Sequence, residues 1–246
     1  MVNFEQSMNI SKEYRERNNS EKWEYLKTLY NNLDNKSEEK IPKIIHQIWI
    51  GGVIPPHLKD LSQQWKNLCE KNGWLYYLWD DTNIDKFPNK NIEKTKNYGQ
   101  KSDILRYDIL KKYGGVYVDI DFVPIKIFDE SVLKTNFFAG IAFGKDPVLF
   151  NGLIGTIPEG SLINELCKIE KINDKDAKKI MFTTGPYYLT NKFFKSDDDD
   201  VVAYPFTYFY PYSNRKWDRD KGTDYRNYIK DETYCVHLWN CSWMKW

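Results

Sequence analysis

Apolar positions along this chain recur with two periods, and the switch between them divides it into elements. Trp23, Leu26, Tyr30 and Leu33 return at helical spacing inside an otherwise polar stretch, so residues 1–40 read as an N-terminal helical extension docking by one stripe. Ile41 to Gly52, IPKIIHQIWIGG, is an apolar run too short for an ordinary helix and ends in two glycines, as a buried first strand does. Leu58, Leu61, Trp65 and Leu68 predict a helix, and Trp74 to Trp79 a second strand closing at Asp80-Asp81, two acids open to ligand contact for which turn formation is the simpler reading. In Lys101–Pro124, KSDILRYDILKKYGGVYVDIDFVP, Ser102 is placed to cap a helix, and Ile104, Leu105, Ile109 and Leu110 give it an apolar side. Gly114 ends that helix and Val116-Tyr117-Val118 begins a strand. Further on come a strand over 136–143, a helix over 161–171, a helix started by Thr184-Gly185-Pro186, a solvated acidic loop at 196–200 and an irregular segment over 208–230. Such alternation predicts an α/β fold with a mostly parallel central sheet flanked by helices, and residues 41–246 read as one domain.

The chemistry gathers at the ends of two predicted strands. Alternation puts Asp119 and Asp121 on one side of theirs, a two-carboxylate claw that suits a hard divalent cation such as Mn²⁺ or Mg²⁺. Asp103 and Arg106, three apart on the preceding helix, are neighbours on one face. Open α/β sheets bind ligands outside the carboxyl ends of their strands, which places Trp49, Ile50 and Gly51 against a nucleotide. His46 has the opposite strand parity from Trp49 and reads as a core or supporting histidine.

Ser102-Asp103-x-x-Arg106-Tyr107 followed by Tyr113-Gly114-Gly115-Val116-Tyr117-x-Asp119-x-Asp121 resembles the DXD region of the glycosyltransferases that include capsular and lipopolysaccharide sugar transferases, yeast α-1,6-mannosyltransferases and large glucosylating toxins. A bare Asp-x-Asp arises easily by chance, whereas the full spaced string is specific. IHQIWIGG is similar to the first strand of the same enzymes. The resemblance implies a GT-A type, Rossmann-like nucleotide-sugar fold and a retaining transfer. It implies Mn²⁺ (or Mg²⁺) on Asp121 and His237 with Asp119 beside them, the base against Ile48, Trp49, Ile50 and Gly51, and donor contacts from Tyr107. It further implies that Asp103, Arg106 and Asn151 act on the donor sugar, and that Ser242 and Trp243 of the C-terminal His237…Ser242-Trp243 element contact phosphate. The implied partners are a nucleotide-sugar donor, uridine favoured over guanosine, and a glycan or polysaccharide acceptor, since the extra subdomains of the protein-modifying toxins are not recognised here. Some relatives touch membranes through N-terminal helices; the stripe on residues 23–33 is short and mixed in charge, which fits core packing and leaves peripheral membrane association open. A non-catalytic binding protein of the same fold is the alternative reading. A nucleotidyltransferase is disfavoured, because no glycine-rich phosphate loop followed by Lys or Arg stands near the N-terminus.

Composition narrows the partners further. Across 246 residues, 36 Lys+Arg against 35 Asp+Glu leave a net charge of +1, which gives no general attraction for nucleic acid. The nine Trp and 18 Tyr fill core and boundary positions for the most part, though flat rings also suit sugars and bases. Cys69, Cys167, Cys235 and Cys241 show neither a Cys-x-x-Cys pair nor zinc spacing, as expected of reduced thiols. With no apolar stretch of signal-peptide or membrane-span length, a cytoplasmic location without a membrane span is expected.

Overall fold

A computed structural model describes residues 2–8, 14, 20–142, 146–212 and 224–240. Its helices are α1 (Phe4–Met8), α2 (Glu21–Asn31), α3 (Pro56–Lys71), α4 (Lys90–Glu93), α5 (Tyr98–Tyr113), α6 (Ser161–Cys167), α7 (Ala177–Thr183), α8 (Pro186–Phe194) and α9 (Phe206–Phe209). Its strands are β1 (Ile44–Ile48), β2 (Leu75–Trp79), β3 (Gly115–Val118), β4 (Phe122–Pro124), β5 (Phe137–Ala142), β6 (Val148–Thr156), β7 (Val201–Tyr204) and β8 (Cys235–His237).

A 6-stranded sheet in the order β2-β1-β3-β6-β5-β7 forms the centre. β1 pairs in parallel with β2 and β3, β5 pairs in parallel with β7, and β6 runs against both β3 and β5. The sheet is therefore mostly parallel, as expected of the α/β architecture. β4 leaves it to pair antiparallel with β8, His237 opposite Phe122, in a small second sheet.

Burial explains the order of layers. Ile45, Val116, Val118, Ile154 and Phe138 are fully buried along the central strands, and each such side chain contributes about 1.5–3 kcal/mol over an exposed one. α3 packs Trp65 onto this core and the indole N–H donates to the Phe122 carbonyl at 3.0 Å, tying the helix to the start of β4. The N-terminal stripe is part of the same core. Trp23, Leu26, Tyr30 and Leu33 are buried, α2 lies against β7, and the Tyr30 and Tyr208 hydroxyls meet at 2.6 Å.

Several local expectations change. α5 starts at Tyr98, capped by the Asn97 side chain, which accepts from the Gln100 N–H at 2.9 Å, so Ser102 stands inside the helix. Asn is as good a cap as Ser, and the earlier one prevails because the intervening turn is compatible with helix. Gly114, at φ 63°, ends α5 as expected. β3 stops at Val118, so Asp119 to Asp121 form a turn, Phe122 N–H bonding the Asp119 carbonyl at 3.2 Å, and strand alternation does not set their directions. The predicted helix over 161–171 ends at Cys167, and β6, which no sequence signal announced, carries Phe150 to Gly155. In the acidic loop, Asp200 is engaged by Lys36 and Lys40 instead of being merely solvated. Cys69, Cys167 and Cys235 are free thiols, Cys241 lies outside the described residues, and no described helix is long and apolar enough to cross a membrane.

Candidate active site

A cavity of about 650 Å³ opens where the carboxyl ends of β1 and β3 face the α7–α8 junction. Ile48, Trp49, Ile50 and Gly51 form its β1 wall. The turn after β1 is held from behind by Asp81, whose carboxylate accepts from the Gly51 N–H at 2.9 Å and the Gly52 N–H at 3.2 Å. That makes Asp81 a support of the wall, consistent with the turn-forming reading. Gly51 has φ 87° and lies under the Tyr98 ring, where a Cβ would come within 2.4 Å.

The opposite wall is a buried polar network. The Asp103 carboxylate accepts from Asn151 Nδ2 at 2.7 Å and from Thr184 Oγ1 at 2.9 Å. The Arg106 guanidinium donates to the Asn151 carbonyl at 2.6 Å and lies 3.3 Å from both Asp103 Oδ1 and Asp119 Oδ1. It also sits 4.4 Å from the centre of the Tyr117 ring, and the Tyr117 hydroxyl donates to Asp119 Oδ1 at 2.7 Å. Asp121 Oδ1 faces His237 Nε2 at 2.9 Å, while Asp121 Oδ2 accepts from the Asn240 N–H at 2.8 Å. The His237 ring stacks on Phe122, with centroids 4.4 Å apart.

Elements from distant parts of the sequence deliver these groups. Asp103 and Arg106 come from one face of α5, and Asn151 from β6. Asp119 and Asp121 come from the β3–β4 turn, and His237 from β8 opposite Phe122. Gly152 lets the turn approach β6: the Asp119 N–H bonds its carbonyl at 2.7 Å, and a Cβ there would lie 2.7 Å from Asp119 Oδ2.

Electrostatics separate the three acids. Burial pushes Asp103 up to about 6 against the opposing pull of Arg106, Thr184 and Asn151. Asp119 is also raised, by burial and by the neighbouring Asp121, although 28% of its side chain opens to the cavity; Arg106 and Tyr117 act in the other direction. Burial alone would raise Asp121 too, but His237 and the Asn240 N–H outweigh it and hold that carboxyl below its usual range. Asp119, Asp121 and His237 each offer a ligand atom, all within 4.8 Å of one another. Two carboxylates with one imidazole form a donor set that suits a divalent cation. Among the described residues the buried His237 Nδ1 has no hydrogen-bond partner, and the ring is held there by stacking and by what Nε2 binds.

Of the residues singled out in the sequence, Ile48, Trp49, Ile50, Gly51, Asp103, Arg106, Asp119, Asp121, Asn151 and His237 all line this cavity. Tyr107 does not line it. It lies one helical turn below Asp103, fully buried, its hydroxyl donating to the Thr184 carbonyl at 2.7 Å and 3.3 Å from Asn151 Nδ2, so it braces those residues from behind. Ser242 and Trp243 lie outside the described residues. Sequence reasoning gave no role to Tyr117, Thr184 or Gly152. Tyr117 was signalled by standing two before Asp119, whereas Thr184 read as part of a helix start and only its contact with Asp103 reveals it.

Residues 55–138 match the family model described as a glycosyltransferase sugar-binding region containing the DXD motif. A glycosyltransferase of Acanthamoeba polyphaga mimivirus is 33% identical over 157 residues, 59% of this chain and 61% of that protein. Inositol phosphoceramide mannosyltransferase 1 of Schizosaccharomyces pombe is 30% identical over 177 residues, 64% of this chain and 52% of that protein. The chain thus matches little more than half the length of these relatives. Among solved structures, the PaToxG glycosyltransferase superposes with a TM-score of 0.51 at 21% identity, covering 70% of this chain and 75% of that one, which bears on the fold. The DXD string thus lies in a stretch similar to the sugar-binding region of DXD glycosyltransferases, and the cavity it lines sits on a GT-A type α/β frame.

Proposed function

We propose that this protein transfers a hexose or N-acetylhexosamine from a nucleotide-sugar to a hydroxyl of a glycan or polysaccharide, with retention of anomeric configuration. The observation that carries the reading is the convergence of Asp119, Asp121 and His237 with the Asp103–Arg106–Asn151 network around one cavity at the carboxyl end of β1.

Trp49 at the β1 wall receives the base, and Asp103 and Arg106, fixed by Asn151, Thr184 and Tyr117, hold donor-sugar hydroxyls in one orientation. Asp119, Asp121 and His237 would hold a divalent cation, Mn²⁺ by preference, which when bound neutralises charge on the departing nucleoside diphosphate. The carboxylates among the described cavity residues are Asp103, Asp119 and Asp121, and each is already engaged by Asn151 and Thr184, by Arg106 and Tyr117, or by His237 and Asn240. That argues against a carboxylate nucleophile and for a front-face substitution. In it the bond from the anomeric carbon to the diphosphate oxygen breaks, the acceptor oxygen bonds that carbon on the same face, and the acceptor's proton passes to the leaving phosphate oxygen. The family resemblance favours a uridine donor; because one relative is by name a mannosyltransferase, mannose donors belong in the same test.

The test is Mn²⁺-dependent hydrolysis of a panel of UDP- and GDP-sugars by wild type and Asp121→Asn. Slow release of nucleoside diphosphate from one donor, abolished by the substitution and by chelator, is expected. Binding of a donor with no turnover in the presence of any acceptor tried would favour a binding protein, and absence of all binding with Mn²⁺ present would overturn the reading.

A further inference from the structure

Helix α7 has two lined faces. Ile180 and Met181 border the donor cavity, and the turn after the helix carries Thr184, bonded to Asp103. On another side Lys178, Lys179, Phe182 and Thr183, with Asn173 and Asp176, line a second and more open cavity of about 320 Å³. At its edge the Phe182 ring stacks on Tyr187 of α8, with centroids 4.4 Å apart and planes 13° from parallel. Both rings reach solvent, Phe182 55% and Tyr187 36% exposed. A stacked pair of large rings with its edge in solvent beside a reaction cavity is a feature that core packing does not account for.

The chemistry of this second cavity suits a saccharide. A pyranose presents an apolar face of C–H groups ringed by hydroxyls, so it needs a flat ring to lie against and short polar groups at the rim. Phe182 and Tyr187 supply the first, and Thr183, Asn173 and Lys178 the second. Thr183 is already oriented, its Oγ1 accepting from Gln100 Nε2 at 3.0 Å and donating to the Lys179 carbonyl at 2.9 Å. Asp176 caps α7 through the Lys179 N–H at 2.8 Å and lies 3.6 Å from the Lys179 ammonium, so those two charges compensate each other. Lys178 then leaves a single net positive charge among the lining residues, too little to demand a polyanion. The two cavities are separated by the thickness of one helix, about 10 Å, within reach of a single extended molecule.

We infer that the cavity beside Phe182 and Tyr187 is an acceptor subsite, which binds sugar residues further along a glycan whose terminal hydroxyl lies in the donor cavity. This rests on the transferase reading above and names the substrate class of that same site as an oligosaccharide of several residues.

The experiment is a panel of immobilised hexose and N-acetylhexosamine oligosaccharides, from one to six residues, probed with wild type, Phe182→Ala and Tyr187→Ala. Nucleotide-sugar hydrolysis and melting temperature are measured on the same preparations. Wild type retains one or more glycans of at least three residues and binds the matching monosaccharide far more weakly; each variant loses about tenfold of the oligosaccharide binding, the size of one lost ring contact. Donor hydrolysis and melting temperature stay at wild-type values in both variants, because these exposed rings support neither the network nor the core. The proposal is overturned if wild type retains no glycan, if both variants bind as wild type does, or if monosaccharide binding falls in parallel with oligosaccharide binding. Loss of binding to anionic phospholipid vesicles in the same variants, with glycan binding intact, would make the pair a membrane contact and overturn it equally. Failure of wild type to hydrolyse any donor would count against the transferase reading, whatever the glycan panel shows.

Discussion

Two buried histidines, each at a strand of a different sheet, show how the fold distinguishes structure from chemistry. His46 on β1 has both ring nitrogens engaged by the protein: Nε2 lies 3.0 Å from the Gly114 carbonyl, and Nδ1 accepts from the Trp79 indole at 3.2 Å. Those contacts fix one neutral tautomer, with the proton on Nε2. His237 on β8 has the contrary pattern, one nitrogen against a carboxylate at the cavity wall and the other buried with no partner among the described residues. Both sit among aromatic rings, so surroundings alone do not tell them apart. A histidine whose hydrogen bonds are complete within the fold has nothing left to offer a ligand, whereas one paired to an acid beside a second acid has.

The largest effect expected from this contrast is on catalysis. His237→Ala should lower Mn²⁺-dependent donor hydrolysis by about 10²–10³-fold, as loss of a group that supports transition-state charge does, while the melting temperature without metal moves by a few degrees at most. Equal losses of activity and stability would erase the distinction between the two residues. His46→Leu should do the reverse. It leaves the Gly114 carbonyl and the Trp79 N–H without partners in a dry core, a cost of about 2–3 kcal/mol by denaturant unfolding, with turnover per folded molecule within about twofold of wild type.

Acid titration sharpens the comparison. Burial pushes His46 down to about 4 from its ordinary 6.5, so between those values the unfolded chain holds a proton that the folded one lacks. Stability therefore falls as pH drops through that window, by at most about 3 kcal/mol over 6.5 − 4 = 2.5 units. Asp103 has the opposite sign, since its folded-state value of about 6 lies above the ordinary 3.8 and acidification through that interval favours the fold. The two contributions partly cancel, and His46→Gln should unmask Asp103: its melting temperature should fall less between pH 6.5 and 4 than that of wild type. A steeper fall would show that His46 is not the titrating group. The smallest effect is at Gly152→Ala, where a methyl group 2.7 Å from Asp119 Oδ2 must displace the carboxylate. Activity should drop about tenfold with stability nearly unchanged, and an unaltered rate would mean that the Asp119 position tolerates movement.

Most of the frame was legible in the sequence because its signals are local. β1, β2, α3 and the end of α5 follow from apolar runs, periodicity and Gly114, and the cavity residues of β1 and α5 follow from those elements and the DXD string. What escaped depends on contacts between distant segments. Gly152 is turn-forming in composition yet lies inside a strand, since the glycine there answers to Asp119 approaching from another part of the chain. Tyr107 shares a helix face with Asp103, but α8 and its preceding turn cover that face one turn down, which spacing along α5 does not reveal. The two DXD acids do reach one site, by way of a turn instead of the pleat, because β3 ends at Val118, before either of them.

The pairing of β4 with β8 has a consequence for the order in which the molecule comes together. Asp121 and His237 are 116 residues apart, and the strand pair that brings them side by side closes a loop containing β5, β6, β7 and everything between. Contacts of such separation form late in folding, after the entropy of closing the loop has been met by nearer ones. During synthesis the first three quarters of the chain can collapse around α5 and the parallel strands while the acid pair has no histidine. An ion that binds all three would favour the closed loop by mass action, and the refolding rate of this protein should then respond to added Mn²⁺ in its slowest phase.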